Sequence, residues 1–359
     1  MSRCLQDRKV NEMNNPFSLS FGTRPAELIE RPLQASEIIE AFLSVYANQR
    51  TYMITGVRGS GKTVLMTDIA SGFKAREDWT VIALSPESDM IRSLAAKLSN
   101  IRKYTEVFRD AKINLSFFDL GLEIDGEPPV TDDETAILRM LQSIKKRDGH
   151  VLITVDEVTN NEFVRKFVAA YQILLREEMP LFLIMTGLYE NVYNLQNEKS
   201  LTFLYRAPKI QLKPLNYSAM ADIYRNVLGV EEKTAAEMSK MTRGYAFAFQ
   251  VLGYFTFREP NRDYKKVIGK YRLYLDEFVY EKLWSELSEK DRKIVISMAE
   301  TGEESVTGIR EHLGMDSNEF SKYRLRLIRK GIVDGSTRGR MTFTLPLFRE
   351  FILDQVEYM

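Results

Sequence analysis

The chain reads as an α/β protein. It begins with a mostly parallel sheet carrying helices on both faces, continues as an all-helical segment, and ends in a compact unit of three helices and a hairpin. Three observations predict this. Short strands that are apolar on both faces alternate with amphipathic helices between Thr51 and Leu215. Strand-like runs stop after Leu215. From Ser288 the order is helix, helix, helix, strand, Gly-rich turn, strand, which is that of a winged helix-turn-helix.

The elements follow in order. Residues 1–15 are polar and are expected to be loose. Asn15 to Pro25 is irregular, punctuated by Pro16, Gly22 and Pro25. In "QASEIIEAFLSVYANQ" the residues Ile38, Ile39, Phe42, Leu43 and Tyr46 fall at helical spacing. "TYMIT" is a short strand that runs into "GVRGSGKT", and "TVLMTDIASGFKA" follows as a helix. "TVIALS" is a second buried strand and "DMIRSLAAKLSNI" a helix. "KINLSFFDLGLEIDGEPP" alternates and reads as one or two short strands outside the main pattern: a subunit-contact hairpin, a DNA-facing insertion or a sheet edge. "DDETAILRMLQSIKKR" is a helix, acidic at its start and basic at its end, as the helix dipole favours. "HVLITVDEV" is an apolar strand ending in two carboxylates, "NEFVRKFVAAYQILLREE" a helix, "PLFLIMTG" another apolar strand, and "APKIQLKPL" the last strand. Three helical segments come next, then a charged stretch from Glu259 to Lys266 and a longer helix over about Val267 to Leu287. The expected domains are a loose N-terminus 1–15, a core 16–215 with a linker 16–36, a helical lid 216–265, a linking helix 266–287 and a winged helix 288–359.

Composition narrows the function classes. Of 359 residues, 44% are hydrophobic and 28% charged, ordinary for a soluble globular protein. Lys plus Arg and Asp plus Glu number 50 each, so any attraction to nucleic acid must be local. The single cysteine, Cys4, excludes a disulfide framework or a cysteine zinc site within one chain and suits a reducing compartment. His150 and His312 are too far apart in sequence to suggest a metal site. No apolar run approaches the roughly 18 residues that span a bilayer. The N-terminus lacks the apolar core of a signal peptide. A cytoplasmic protein without membrane contact is expected.

Gly56-Val57-Arg58-Gly59-Ser60-Gly61-Lys62-Thr63, followed by Val64, spells a phosphate-binding loop, with a strand before it and a helix after it. The glycines let the chain wrap an anion, and backbone N–H groups at the helix start would face the α- and β-phosphates of ATP. Lys62 would reach the β- and γ-phosphates, and the Thr63 hydroxyl would ligate Mg²⁺. Asp156 arrives at the C-terminal end of an apolar strand, where ligands of parallel sheets bind, and would hold the same Mg²⁺ through water. Glu157 would polarise the attacking water as a general base. Thr186, at the tip of the apolar strand read as lying beside the one that carries Asp156, has two readings: contact with the γ-phosphate or attacking water, or a cap on the turn before Gly187.

In this order of motifs the chain resembles AAA+ ATPases. More narrowly it resembles the branch that holds the origin-recognition ATPases, the archaeal-type ATPases and the signal-transducing ATPases with numerous domains. "NPFSLSFGTRPAELIERPLQASEI" is similar to the N-terminal linker of bacterial members, with Glu30-Arg31 where a Gly-Arg pair is usual. The resemblance spans about residues 15–355. It implies a catalytic arginine that reaches a neighbouring subunit, at Arg206; the alternative is a surface arginine or one paired to an acid. It also implies a lid arginine two residues after a glycine and its neighbour, where this chain reads Gly244, Tyr245, Ala246, Phe247. A phenylalanine there favours a slow or partner-stimulated ATPase over a fast motor.

Between Lys322 and Arg340 stand seven basic residues and one acid, Asp334. Lys322, Arg324, Arg326 and Arg329 on the third helix, with Arg338 and Arg340 on the wing, form the expected surface for duplex DNA. Acidic Glu300, Glu303, Glu304 and Glu311 cancel the charge of the rest of this module. The leading expectation is a DNA-associated ATPase switch. The alternative is a signalling or regulatory ATPase whose winged helix contacts a protein, with homo-oligomerisation open in both.

Overall fold

The computed structural model of the protein describes residues 15–20, 25–110 and 132–357. They divide into two compact units that interleave along the chain. A sheet unit takes residues 31–55 and 62–211; a helical unit takes the residues up to Glu30, the loop Gly56–Gly61 and everything from Leu212.

The sheet unit contains α1 (Pro32–Leu43), β1 (Thr51–Thr55), α2 (Lys62–Lys74), β2 (Trp79–Leu84), α3 (Met90–Ser99), α4 (Arg102–Asp110), α5 (Asp133–Lys145), β3 (His150–Val155), α6 (Glu162–Arg176), β4 (Leu181–Gly187), α7 (Tyr189–Gln196), a 3-10 turn (Lys199–Arg206) and β5 (Lys209–Gln211). All strand pairs are parallel, in the order β2-β3-β4-β1-β5. β1, β3 and β4 are buried almost throughout, which is why their sequences are continuous apolar runs and not alternations. One aromatic cluster joins Phe42, Phe73, Trp79 and Phe182, with Phe73 and Trp79 centroids 4.2 Å apart. A second core gathers Leu94 and Leu98 of α3, Met140 and Ile144 of α5, and Val164 and Val168 of α6. α4 and α7 go beyond the sequence expectation. The ribbon expected at 112–129 lies outside the described residues.

The helical unit contains α8 (Tyr217–Leu228), α9 (Glu232–Met241), α10 (Ala246–Arg258), a 3-10 turn (Tyr264–Val267) and α11 (Ile268–Leu275). A π turn at Asp276–Tyr280 then leads into α12 (Glu281–Ser285), so the single long helix expected here carries a π segment. The C-terminal module follows: α13 (Glu289–Thr301), α14 (Val306–His312), α15 (Ser317–Arg329), β6 (Val333–Asp334), β7 (Thr342–Phe343) and α16 (Phe348–Glu357). β6 and β7 pair antiparallel, and Ser305 bridges Arg340. Side-chain caps from Ser288, Ser305 and Asp316 fix the starts of α13, α14 and α15, with Ser288 and Asp291 forming a reciprocal capping box. α16 goes beyond the expected elements.

The sequence grouped residues 16–30 with the sheet-bearing core; the described residues among them, 16–20 and 25–30, cluster instead with the helical unit. Asn15 donates to the Tyr254 carbonyl at 3.1 Å, and the Gln250 side chain accepts from the Ser18 amide at 2.9 Å. Phe17 packs edge-on to Phe249, with centroids 5.7 Å apart. Gly253 makes room for it, since a Cβ there would lie 2.4 Å from the Phe17 ring.

Candidate nucleotide site

β1 delivers the chain into the loop Gly56–Gly61, and α2 begins directly after it at Lys62. Gly59 and Gly61 have φ of +74° and +93°, conformations that side chains rarely adopt. The Ser60 amide closes a turn on the Val57 carbonyl at 3.2 Å. No acidic residue occupies the first turn of α2, so its N-terminus keeps the polarity that attracts phosphate. Lys62 is buried.

In the sheet unit, three predicted residues meet on one carboxylate. The Thr63 hydroxyl donates to Asp156 Oδ2 at 2.7 Å. The Thr186 hydroxyl donates to Asp156 Oδ1. The Glu157 amide lies 3.1 Å from Asp156 Oδ1 and 3.2 Å from the Thr186 oxygen. Strand register makes this meeting: Val155 is paired with Met185, so the residues that follow them stand side by side. Thr186 is fully buried. Glu157 has φ +53°, a left-handed conformation that costs a non-glycine residue about 1–3 kcal/mol, and its side chain is exposed. The hydroxyl of Thr63 and the carboxylate of Asp156 are hard oxygen donors within hydrogen-bond reach of each other. That donor set fits Mg²⁺, which takes few protein oxygens and completes its shell with water and phosphate. Among the described residues no cluster of three or more His, Cys, Asp or Glu forms an all-protein metal cage.

Arg206 ends the 3-10 turn before β5, with its side chain exposed. Val57 and Arg58 belong to the helical unit and contact its later residues. Val57 packs against its core, and Glu286 stands 4.0 Å from the Arg58 guanidinium. The Tyr245 hydroxyl donates to the Arg58 carbonyl at 2.6 Å, and the Phe247 amide to the Gly59 carbonyl at 3.1 Å. Burial raises the Tyr245 phenol far above its ordinary range, so it stays a protonated donor. Sequence reasoning passed over Tyr245, although it lies inside the tetrad that ends at Phe247.

The C-terminal basic residues divide. Arg326 Nε donates to Asp291 Oδ1 at 2.9 Å, its guanidinium also reaches Ser288, and the Asp291 side chain is 1% exposed. Arg324 donates to the Gly335 carbonyl at 3.3 Å, and Arg340 pairs with Glu304. Arg329 is half-buried, whereas Lys322 and Arg338 are exposed.

A family described as a domain of unknown function (DUF8462) matches residues 277–352. No curated protein matches the chain. Among solved structures, the Walker-type ATPase PABY2304 of Pyrococcus abyssi is similar with a TM-score of 0.64 at 16% identity, over 90% of this chain and 96% of that one. The ORC2 protein of Aeropyrum pernix is similar with a TM-score of 0.60 at 14% identity, over 95% and 97% of the two chains. These likenesses establish the fold, which is shared with a Walker-type ATPase and an ORC2 protein.

Among the described residues, no helix is long and apolar enough to cross a membrane.

Proposed function

We propose that the chain binds Mg-ATP at Gly56–Thr63 and hydrolyses it slowly, acting as a nucleotide-dependent switch. One observation carries the reading: the Thr63 hydroxyl sits on Asp156 at 2.7 Å, one residue before the exposed Glu157. Loop amides would take the phosphates, Lys62 would offset charge on the β- and γ-phosphates, and Thr63 with Asp156 would hold Mg²⁺. Bound Mg²⁺ supplies charge neutralisation on the phosphates. Glu157 would accept a proton from the attacking water, and Thr186 would hold Asp156 and the Glu157 backbone in place. Arg206 would serve a neighbouring copy in trans. Phe247, where the family places an arginine, supports slow or partner-stimulated turnover. Similarity to a structure described as an ADPNP-ADP complex supports nucleotide binding. The test is phosphate release with and without duplex DNA across protein concentrations, beside a Lys62→Ala variant. Equal release by parent and variant would sink the assignment.

We further propose that the C-terminal module, read as a winged helix, is the output of the switch and contacts duplex DNA through Lys322, Arg329 and Arg338. A second reading, contact with a partner protein, is favoured by the internal engagement of Arg324, Arg326 and Arg340. Anisotropy with random duplex DNA at low salt separates the two. Absence of binding with and without ATP would leave the protein-contact reading.

A further inference from the structure

The helical unit grips the phosphate loop by its backbone, and one grip acts on a single peptide plane. The Tyr245 hydroxyl donates to the Arg58 carbonyl at 2.6 Å. That carbonyl shares its planar trans peptide with the Gly59 N–H, so fixing the oxygen on one side fixes the direction of the N–H on the other. Engaging the carbonyl also polarises the N–H and makes it a better donor. The next peptide is held from both sides, by the Phe247 amide on the Gly59 carbonyl at 3.1 Å and by the Ser60 amide on the Val57 carbonyl at 3.2 Å. The Ser60 N–H is therefore engaged within the turn, and the Gly59 N–H is the one that Tyr245 aims.

The surroundings are shaped for this approach. A Cβ on Gly59 would lie 2.3 Å from the Tyr245 oxygen, so only glycine admits the hydroxyl. Behind the loop, Val57 seats against Gly331 of the C-terminal module, where a Cβ would lie 2.6 Å from Val57 Cγ1. We propose that Tyr245 is a positioning residue for phosphate binding: its hydroxyl sets the peptide plane that points the Gly59 N–H at a bound phosphate, with Gly331 backing the loop through Val57. This deepens the nucleotide reading above and rests on it.

The test compares Tyr245→Phe with Tyr224→Phe. Tyr224, in α8, donates to the Phe249 carbonyl of α10 at 2.8 Å, so its variant loses a buried hydrogen bond of the same unit that does not touch the phosphate loop. Tyr245→Phe should raise the KM for Mg-ATP about three- to tenfold and leave kcat within about twofold, the effect of one lost hydrogen bond in binding. In the nucleotide-free protein it should also speed amide exchange in peptides covering residues 56–61. Tyr224→Phe should lower the melting temperature and leave KM at the parent value. The proposal is overturned if Tyr245→Phe keeps parent KM and parent exchange, or if Tyr224→Phe raises KM equally. If the parent protein binds no ATP, the nucleotide reading fails and the proposal with it. Exchange at 56–61 then reports separately whether Tyr245 holds the loop.

Discussion

Asp156 accepts a hydroxyl on each oxygen, one from α2 and one from β4, and the residue after it is twisted into a left-handed conformation. Such local strain persists where the surroundings over-determine it, and here Thr186 supplies that constraint by also accepting from the Glu157 amide. Thr186→Val keeps the shape but leaves the Glu157 amide and one carboxylate oxygen without their hydroxyl. It should cost about 1–3 kcal/mol in urea unfolding and lower turnover. Glu157→Gln should retain ATP affinity and lose about 10²–10⁴-fold in phosphate release. An unchanged release rate would remove Glu157 from the role of base. The loop and the Asp-Glu pair were legible because their residues are adjacent in sequence. Sequence placed Thr186 on the strand beside that of Asp156, and β3 does pair with β4, but the direct hydroxyl contact was not legible because it depends on the exact register.

At the scale of elements, α10 and the π turn carry the strongest constraints. Gly253→Ala would gain about 1 kcal/mol of helix propensity. Overpacking a buried ring costs about 1–3 kcal/mol, and the 2.4 Å approach to Phe17 makes the steric term the larger. Net destabilisation in urea is the expected result. At the π turn, burial raises Asp276 to about 6, against the lowering effect of Arg272 and with further raising by Asp354, Glu281 and Glu350. Its ordinary value is 3.8, so the fold disfavours the ionised form and stability is lost as pH rises from about 4 through about 6. Asp276→Asn should therefore raise the melting temperature at pH 7.5, by about 1–2 kcal/mol of stability, and give no gain at pH 4. A gain at pH 4 equal to that at pH 7.5 would contradict the assignment. Helix α4 shows where pattern reading failed. Its buried Tyr104, Val107 and Phe108 have helical spacing, but the charged residues among them dilute the apolar signal.

For the whole molecule, the alternation of strands and helices was legible because parallel strands are buried on both faces. The division into units was not, because sequence order suggests consecutive blocks while the chain crosses between units at residues 30–31, 55–56, 61–62 and 211–212. The C-terminal basic residues looked alike in sequence, but the nearly buried Asp291 opposite Arg326 was invisible there. Asp291→Ala would leave Arg326 without its buried partner and should destabilise the module by about 2–4 kcal/mol, somewhat less than a fully buried pair because Arg326 is partly exposed. If duplex DNA binds through Lys322, Arg329 and Arg338, one phosphate contact each, the slope of log affinity against log salt should be about −3.

The anchoring of Asn15 and Phe17 on α10 also has a consequence for synthesis. Asn15 and its partner Tyr254 are 239 residues apart, among the longest sequence separations in the fold. At about 5–20 residues per second, Asn15 waits on the order of 10–50 s for α10 to be made. Through most of that interval Phe17 lacks both of its ring partners, Tyr224 and Phe249. The helical unit closes late in translation, after the sheet unit has been completed.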